Sequence, residues 1–175
     1  IIEHANNYAK PSIVATQVLY SMVSNPSPTR AEVSDIANAV LDGADAIMLS
    51  NETAVGKHPL SAIREIRRTG GRIAPYVRTK VSMEGSPKTI EPVSDVLSKT
   101  IYTIASRRQI DKIVAVTRTG YSVRLISRFK LGKPIIAIAT DGRVAQEMNL
   151  FYNVKPVLWS RLPKHKFTQS IALRC

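Results

Sequence analysis

The chain has 175 residues, of which 44% are hydrophobic, and it carries a formal net charge of +12. It contains no uninterrupted apolar run near the roughly 20 residues that a membrane span needs, and no charged-then-apolar leader is visible. The single cysteine, Cys175, excludes an internal disulfide framework, so we expect a cytoplasmic protein without a membrane segment.

Two short apolar runs and the helix between them make up the first predicted unit. The first strand is predicted at Ile13–Ala15, and a second at Ala46–Leu49. Thr29 and Glu32 have the spacing of a capping box, and the apolar positions after them have helical spacing up to Gly43, which ends the helix. Because both strands are continuously apolar, we expect them to be parallel and buried on both faces.

Polar side chains follow both of these strands. Thr16 and Gln17 follow the first, whereas Ser50, Asn51 and Glu52 follow the second. Since α/β proteins bind ligands at the carboxyl ends of parallel strands, we expect these residues to share one site. The alternative is a strand end whose polar groups only satisfy local hydrogen bonds, and for Gln17 and Asn51 it is at least as well supported.

Charge and composition divide the chain into two domains. Residues 1–73 contain seven basic and seven acidic side chains, whereas the remainder contains eighteen basic and six acidic ones. We therefore predict a first domain over 1–73, a glycine- and proline-rich linker over 74–92 and a second domain over 93–175. The basic second domain favours an anionic partner.

The second domain alternates predicted helices and strands. An apolar helix face runs from Val93 to Ala105, a second helix is marked by apolar residues from Val123 to Phe129, and a third covers about Gly142–Leu150. Strands are predicted at Lys112–Val116, Pro134–Ala139 and Lys155–Trp159. This alternation predicts three parallel strands in a doubly wound α/β arrangement.

The loop after the first of these strands has a composition suited to phosphate. Its candidate binding residues are Thr117, Arg118, Thr119, Gly120 and Ser122. Exposed backbone amides before a helix favour phosphate, and a glycine allows close approach. On the pattern alone, however, the hydroxyl groups are better explained as helix caps.

Longer motifs resemble one enzyme family. The segments ATQVLYSM (Ala15–Met22) and PSPTRAEVSDIANAVLDGADAIMLSNETAVGKHPL (Pro26–Leu60) resemble the late barrel region of pyruvate kinases, with its patterns ATQMLESM, PTRAE, DVANAVLDGAD and MLSGETA. The later segment VTRTGYSVRLISRFKLGKPIIAIAT resembles the carboxyl-terminal domain of that family. The implied fold is α/β: the last two βα units of a (β/α)8 barrel, followed by a smaller, incomplete three-layer α/β domain. Since such a barrel takes about 250 residues, we interpret the chain as a piece of a longer enzyme.

The resemblance implies phosphoryl transfer from phosphoenolpyruvate to ADP, which gives pyruvate and ATP in glycolysis. It assigns Thr16, Ser50 and Glu52 to the proton-delivery network and places Gln17 beside the substrate. Glu52 suits a proton relay if its pKa is raised. The resemblance also implies that the loop at 117–122 binds a phosphorylated effector.

The same resemblance implies Mg²⁺ and K⁺, with their ligands outside this chain, and a homotetramer. No metal ligand is assigned within the chain, and the isolated piece is predicted to be inactive. Three positions depart from the family pattern: Tyr20 replaces a glutamate, Tyr121 replaces an arginine and Asn51 replaces a glycine, a change that left-handed backbone tolerates.

Two other functions stay open as alternatives. One is a non-enzymatic α/β module that senses phosphorylated effectors through the loop at 117–122. The other is a nucleic-acid-binding protein, suggested by the basic second half alone. An aromatic content of 6% and the lack of a nucleic-acid-binding motif do not favour the second alternative.

Overall fold

The computed structural model describes residues 1–15, 17–79, 81 and 92–159. The chain divides into two compact units, Ile1–Val81 and Ser82–Cys175. The division lies inside the predicted linker 74–92, while the exact domain bounds stay a prediction. Among the described residues, no helix is both long and apolar enough to cross a membrane.

The first unit joins a small parallel sheet to helices. Its elements are the helices α1 (Ile2–Asn7), α2 (Arg30–Leu41), α3 (Asn51–Ala54) and α4 (Pro59–Ile73), the strands β1 (Ile13–Val14) and β2 (Ala46–Ile47), and 3-10 turns at Tyr20–Val23 and Ala74–Tyr76. The strands pair in parallel, with Ile13 opposite Ala46 and Val14 opposite Ile47. Helix α2 lies between them in sequence and packs against α4.

The start and the end of α2 follow from its sequence. The Thr29 hydroxyl accepts from the Glu32 amide (3.3 Å), and a Glu32 carboxylate oxygen accepts from the Thr29 amide (2.7 Å). After the helix, Gly43 has a φ of +86°, a left-handed conformation that costs glycine little. The predicted capping box and glycine stop are confirmed.

The strands of this unit are less buried than their apolar sequence predicts. Ile47 and Leu49 pack against the core of the unit, whose buried members are Val18, Leu19, Met22, Ile36 and Ala62. Met48 is 45% exposed and Ile13 is 50% exposed. Successive strand residues point to opposite faces, and the core lies on the face of Ile47 and Leu49. Among the described residues, the face of Ile47 and Leu49 is covered by the core, and burial of the opposite face stays a prediction.

The second unit contains a three-stranded parallel sheet. Its elements are the helices α5 (Val93–Arg107), α6 (Tyr121–Ser127) and α7 (Gly142–Glu147), a 3-10 turn at Met148–Leu150, and the strands β3 (Ile113–Thr117), β4 (Ile135–Ala139) and β5 (Val154–Leu158). The order is β3-β4-β5, and all five residues of the central strand are buried. The predicted α/β class and the three parallel strands are confirmed.

Helix α5 packs through only part of its predicted apolar face. Ser98 and Ala105 are buried, whereas Leu97 is 57% exposed and Ile104 is 50% exposed. The helix packs against α6, and just beyond α6 an Arg128 nitrogen pairs at 2.5 Å with Asp95 of α5. The side that carries Asp95 and Ser98 makes this contact, and Tyr102 stacks on Phe129 with ring centroids 5.0 Å apart. Of the predicted apolar face, Ala105 is buried, whereas Leu97 and Ile104 are exposed.

Candidate functional site

Segments that follow the two strands of the first unit meet in a small pocket. The pocket has a volume of about 190 Å³ and is lined by Gln17, Tyr20, Met48, Ser50, Asn51 and Glu52. Three of the four predicted site residues of this unit are therefore brought together. The fourth, Thr16, lies outside the described residues.

Glu52 joins the two segments. Its side chain is buried (1% exposed). One carboxylate oxygen accepts from the Leu19 amide (2.9 Å), and the other accepts from the Ser50 amide (2.8 Å). The segment after β1 is thereby fixed to the end of β2 by a single side chain.

Backbone amides keep the Glu52 carboxylate ionised. Burial by itself raises the pKa of Glu52, but hydrogen bonds from the amides of Glu52, Leu19 and Ser50 outweigh it, although the nearby Glu32 opposes them. The net pKa lies below its ordinary value of 4.5. A proton relay through Glu52 would need a raised pKa, whereas the pKa of this carboxyl is shifted the other way.

Glu32 holds the neighbouring turn from the other side. One of its oxygens accepts from the Ser21 amide (2.8 Å), and the other accepts from the Ser21 hydroxyl (2.5 Å) as well as from Thr29. Burial raises the pKa of Glu32, but these hydrogen bonds, that of the Ser21 side chain foremost, lower it overall. The sequence predicted Glu32 only as a cap, because nothing in its spacing indicates a contact with Ser21.

Ser50 and Asn51 stand at the entrance of α3. Ser50 precedes the helix and its side chain is exposed, while Asn51 is the first helical residue. Positive φ angles occur elsewhere in the described residues, at Gln17 (+49°) among others, but not at Asn51. Left-handed backbone, the condition under which Asn51 would readily replace the family glycine, is therefore not met, because α3 begins at this residue.

The loop at 117–122 in the second unit is organised by its own side chains. Thr117 is buried, and its hydroxyl accepts from the Gly120 amide (2.8 Å). Gly120 has a φ of +78°, and a Cβ at this position would fall 2.3 Å from Cε of Met148. Thr117 thus closes the turn before α6, and α6 begins after Gly120 without a side-chain cap, so the capping alternative does not describe Thr117. Arg118 and Thr119 are exposed, and Ser122 lies partly buried in the first turn of α6.

The acidic, histidine and cysteine side chains that the structure describes are not clustered. Among residues 1–15, 17–79, 81 and 92–159, no three His, Cys, Asp or Glu side chains come together in a way that could hold a metal ion. These side chains therefore offer no carboxylate cluster for Mg²⁺.

Family models match both units. One described as pyruvate kinase, barrel domain, matches residues 1–63, and one described as pyruvate kinase, alpha/beta domain, matches residues 95–174. The chain belongs to the pyruvate kinase family. The resemblance predicted from the sequence motifs is confirmed.

Individual pyruvate kinases are similar to nearly the whole chain. Pyruvate kinase 2 of Synechocystis sp. is 39% identical over 173 residues, which cover 99% of this chain and 29% of that protein. The pyruvate kinase of Thermotoga maritima is 39% identical over 167 residues, covering 90% of this chain and 33% of that protein. The chain therefore spans about a third of the length of such relatives.

A solved structure agrees with this assignment. The crystal structure of a pyruvate kinase from Cryptosporidium parvum superimposes with a TM-score of 0.88 and 31% sequence identity. The match covers 99% of this chain and 36% of that one. The fold of the chain is thus that of the corresponding third of a pyruvate kinase.

Proposed function

We propose that this chain is part of an enzyme that transfers the phosphoryl group of phosphoenolpyruvate to ADP, giving pyruvate and ATP. The observation that carries the proposal is the pocket in which Gln17, Ser50 and Glu52 meet, inside a chain of the pyruvate kinase family. The enzyme would act in glycolysis, and we propose a cytoplasmic location and a homotetramer on the basis of the family alone.

We propose two roles for the residues of the pocket, namely proton delivery and positioning. Loss of the phosphoryl group leaves an enolate, which must gain a proton at carbon. We propose that Ser50 and Thr16 belong to the proton-delivery network, with Gln17 beside the substrate. A hydroxyl group is a weak acid, so an ordered water must complete the relay.

Glu52 supports this network without donating a proton. Its lowered pKa makes it a carboxylate at neutral pH, and both oxygens accept backbone hydrogen bonds at 2.8–2.9 Å. We therefore propose that Glu52 fixes the position of the Ser50 backbone relative to the segment that follows β1. The charge neutralisation that phosphoryl transfer needs would come from Mg²⁺ and K⁺ held by other parts of the enzyme.

The second unit would carry regulation. We propose that a phosphorylated small molecule binds the loop at 117–122, where Arg118, Thr119 and Ser122 remain as candidate contacts and where Thr117 and Gly120 shape the turn. A purely effector-sensing module without enzyme activity is the second candidate, and it rests on the same loop. A nucleic-acid-binding function is not favoured.

Proton exchange tests the role of Ser50 separately from phosphoryl transfer. In the full-length enzyme that contains this chain, Ser50→Ala should slow ATP formation, and it should also slow exchange of the pyruvate methyl protons with D₂O. We expect a loss of about a hundredfold or more in both rates, since a positioned acid–base group contributes on that order.

The exposed Ser24 of the same unit provides the matched control, and Ser24→Ala should leave both rates unchanged. If Ser50→Ala keeps the wild-type exchange rate, the proposed proton network is wrong. If the full-length wild-type enzyme forms no ATP from phosphoenolpyruvate and ADP, the proposed reaction is wrong.

A further inference from the structure

One polar side chain of the pocket has no role in the reaction proposed above. Asn51 lines the pocket next to Ser50 and is exposed, at a position where the family pattern has glycine. Its carboxamide makes no hydrogen bond to the residues that the structure describes. The carboxamide is thus available to whatever the pocket holds.

The backbone of Asn51 is firmly held. Its carbonyl oxygen accepts from the amides of Val55 (3.1 Å) and Gly56 (2.8 Å). A Cβ on Gly56 would fall 2.4 Å from the Glu52 carbonyl oxygen, so a larger residue there would force the backbone apart. Helix α3 is therefore closed tightly, and a well-fixed backbone carries the carboxamide, as precise positioning requires.

A relay water in this pocket needs a partner that both donates and accepts. Both oxygens of Glu52 already accept backbone amides, and the Ser50 hydroxyl has a single proton to give. A carboxamide offers an acceptor oxygen and two N–H donors. The pocket volume of about 190 Å³ leaves room for several waters, since each takes about 30 Å³ and needs about two to four polar partners.

We propose that Asn51 is a positioning residue whose carboxamide holds the relay water beside Ser50. The inference rests on the proton delivery proposed above. In the relay, one O–H bond of the water breaks as a C–H bond of the pyruvate methyl group forms. The water regains a proton from the Ser50 hydroxyl, which regains one from solvent. Asn51 fixes the direction of the water and exchanges no proton itself.

Helix propensity gives the competing explanation. Asparagine forms helix more readily than glycine, and Asn51 is the first residue of α3, so this preference alone would account for it. Alanine separates the two explanations, because it is the best helix former and lacks the carboxamide. Asn51→Ala therefore removes the proposed contact without weakening the helix.

Exchange of the pyruvate methyl protons with D₂O tests the proposal in the full-length enzyme that contains this chain. Asn51→Ala and Asn51→Gly should both slow this exchange about threefold to tenfold, the equivalent of one neutral hydrogen bond. The KM for phosphoenolpyruvate should stay unchanged, because the carboxamide contacts the water and not the substrate. The double variant Ser50→Ala/Asn51→Ala should be no slower than Ser50→Ala, because both residues act on the same water.

Ala54→Gly is the matched control, because Ala54 is exposed on the same helix and does not line the pocket. This variant should exchange methyl protons at the wild-type rate. Wild-type exchange in Asn51→Ala would overturn the proposal, and a loss in Asn51→Gly alone would assign Asn51 to helix formation instead. Losses that multiply in the double variant would place Asn51 outside the relay and would also overturn it. A wild-type enzyme that forms no ATP would overturn the proposed reaction, whereas an active wild type with an unaffected Asn51→Ala variant overturns only the role of Asn51.

Discussion

Replacing Glu52 with glutamine tests the positioning role of its charge. Glutamine has nearly the same shape, but it offers one acceptor oxygen where glutamate offers two. The Leu19 and Ser50 amides each donate to a different oxygen, so in the variant one of them must face an NH₂ group. That amide then stays buried without an acceptor.

The expected loss of stability follows from these two hydrogen bonds. A bond to a charged acceptor contributes about 1.5–3 kcal/mol, and a buried donor without a partner costs about 1–3 kcal/mol. Removing the buried charge recovers part of its desolvation penalty. We therefore expect Glu52→Gln to lower the free energy of unfolding by about 2–4 kcal/mol at pH 7.

The dependence on pH has a defined sign. The pKa of Glu52 is lower in the folded chain than its ordinary value of 4.5. The stabilisation by the ionised group is therefore complete above pH 4.5 and is lost as the pH falls through the folded pKa. The difference in stability between wild type and Glu52→Gln should shrink in that acid window.

Urea unfolding, together with hydrogen exchange at the Leu19 and Ser50 amides, measures this effect. The exposed Glu3 is the control, and Glu3→Gln should change stability by less than about 0.5 kcal/mol. A Glu52→Gln variant as stable as wild type at pH 7 would refute the positioning role. A difference that grows as the pH falls from 4.5 would refute the assignment of the lowered pKa.

Three further outcomes follow from the structure. Ser21→Ala removes the hydroxyl that donates to Glu32, so the pKa of Glu32 should move upward in a carbon-detected NMR titration, and an unchanged pKa would contradict the hydrogen bond. Gly120→Ala should destabilise the second unit by about 1 kcal/mol or more, since its φ of +78° is a left-handed conformation that alanine rarely adopts; Trp159 fluorescence during urea unfolding measures this. Gly132→Ala is its control, because Gly132 has no positive φ and a Cβ there meets nothing within 4 Å, and equal losses in both variants would contradict the backbone argument. The isolated 175-residue chain should form no ATP from phosphoenolpyruvate and ADP, and ATP formation above a no-protein blank would show that the chain suffices.

Local sequence rules predicted the elements well and the contacts between them poorly. The cap at Thr29 and the stop at Gly43 depend on residues within one helix, so spacing alone identifies them. The contact of Glu32 with Ser21 and the ionised state of Glu52 depend on segments that only packing brings together.

The family patterns predicted the meeting of Gln17, Ser50 and Glu52 in one pocket, but not how Glu52 acts there. Its pKa is decided by three backbone amides, and main-chain groups leave no signature in a sequence. The helical start at Asn51 was not predicted, and left-handed backbone, the condition considered for the change from the family glycine, does not occur there.

The turn at Tyr20–Val23 shows how a site can change its lining without losing its shape. Glu52 accepts a hydrogen bond from the Leu19 amide, and Glu32 accepts one from the Ser21 amide. These two amides lie on either side of Tyr20. An amide is present whatever the side chain, so most substitutions at Tyr20 leave both anchors in place. The glutamate of the family pattern could therefore give way to a tyrosine here while the framework of the pocket stayed intact. The side chain that lines the pocket at this turn can therefore be substituted, in evolution or by protein engineering, while both anchoring hydrogen bonds are kept.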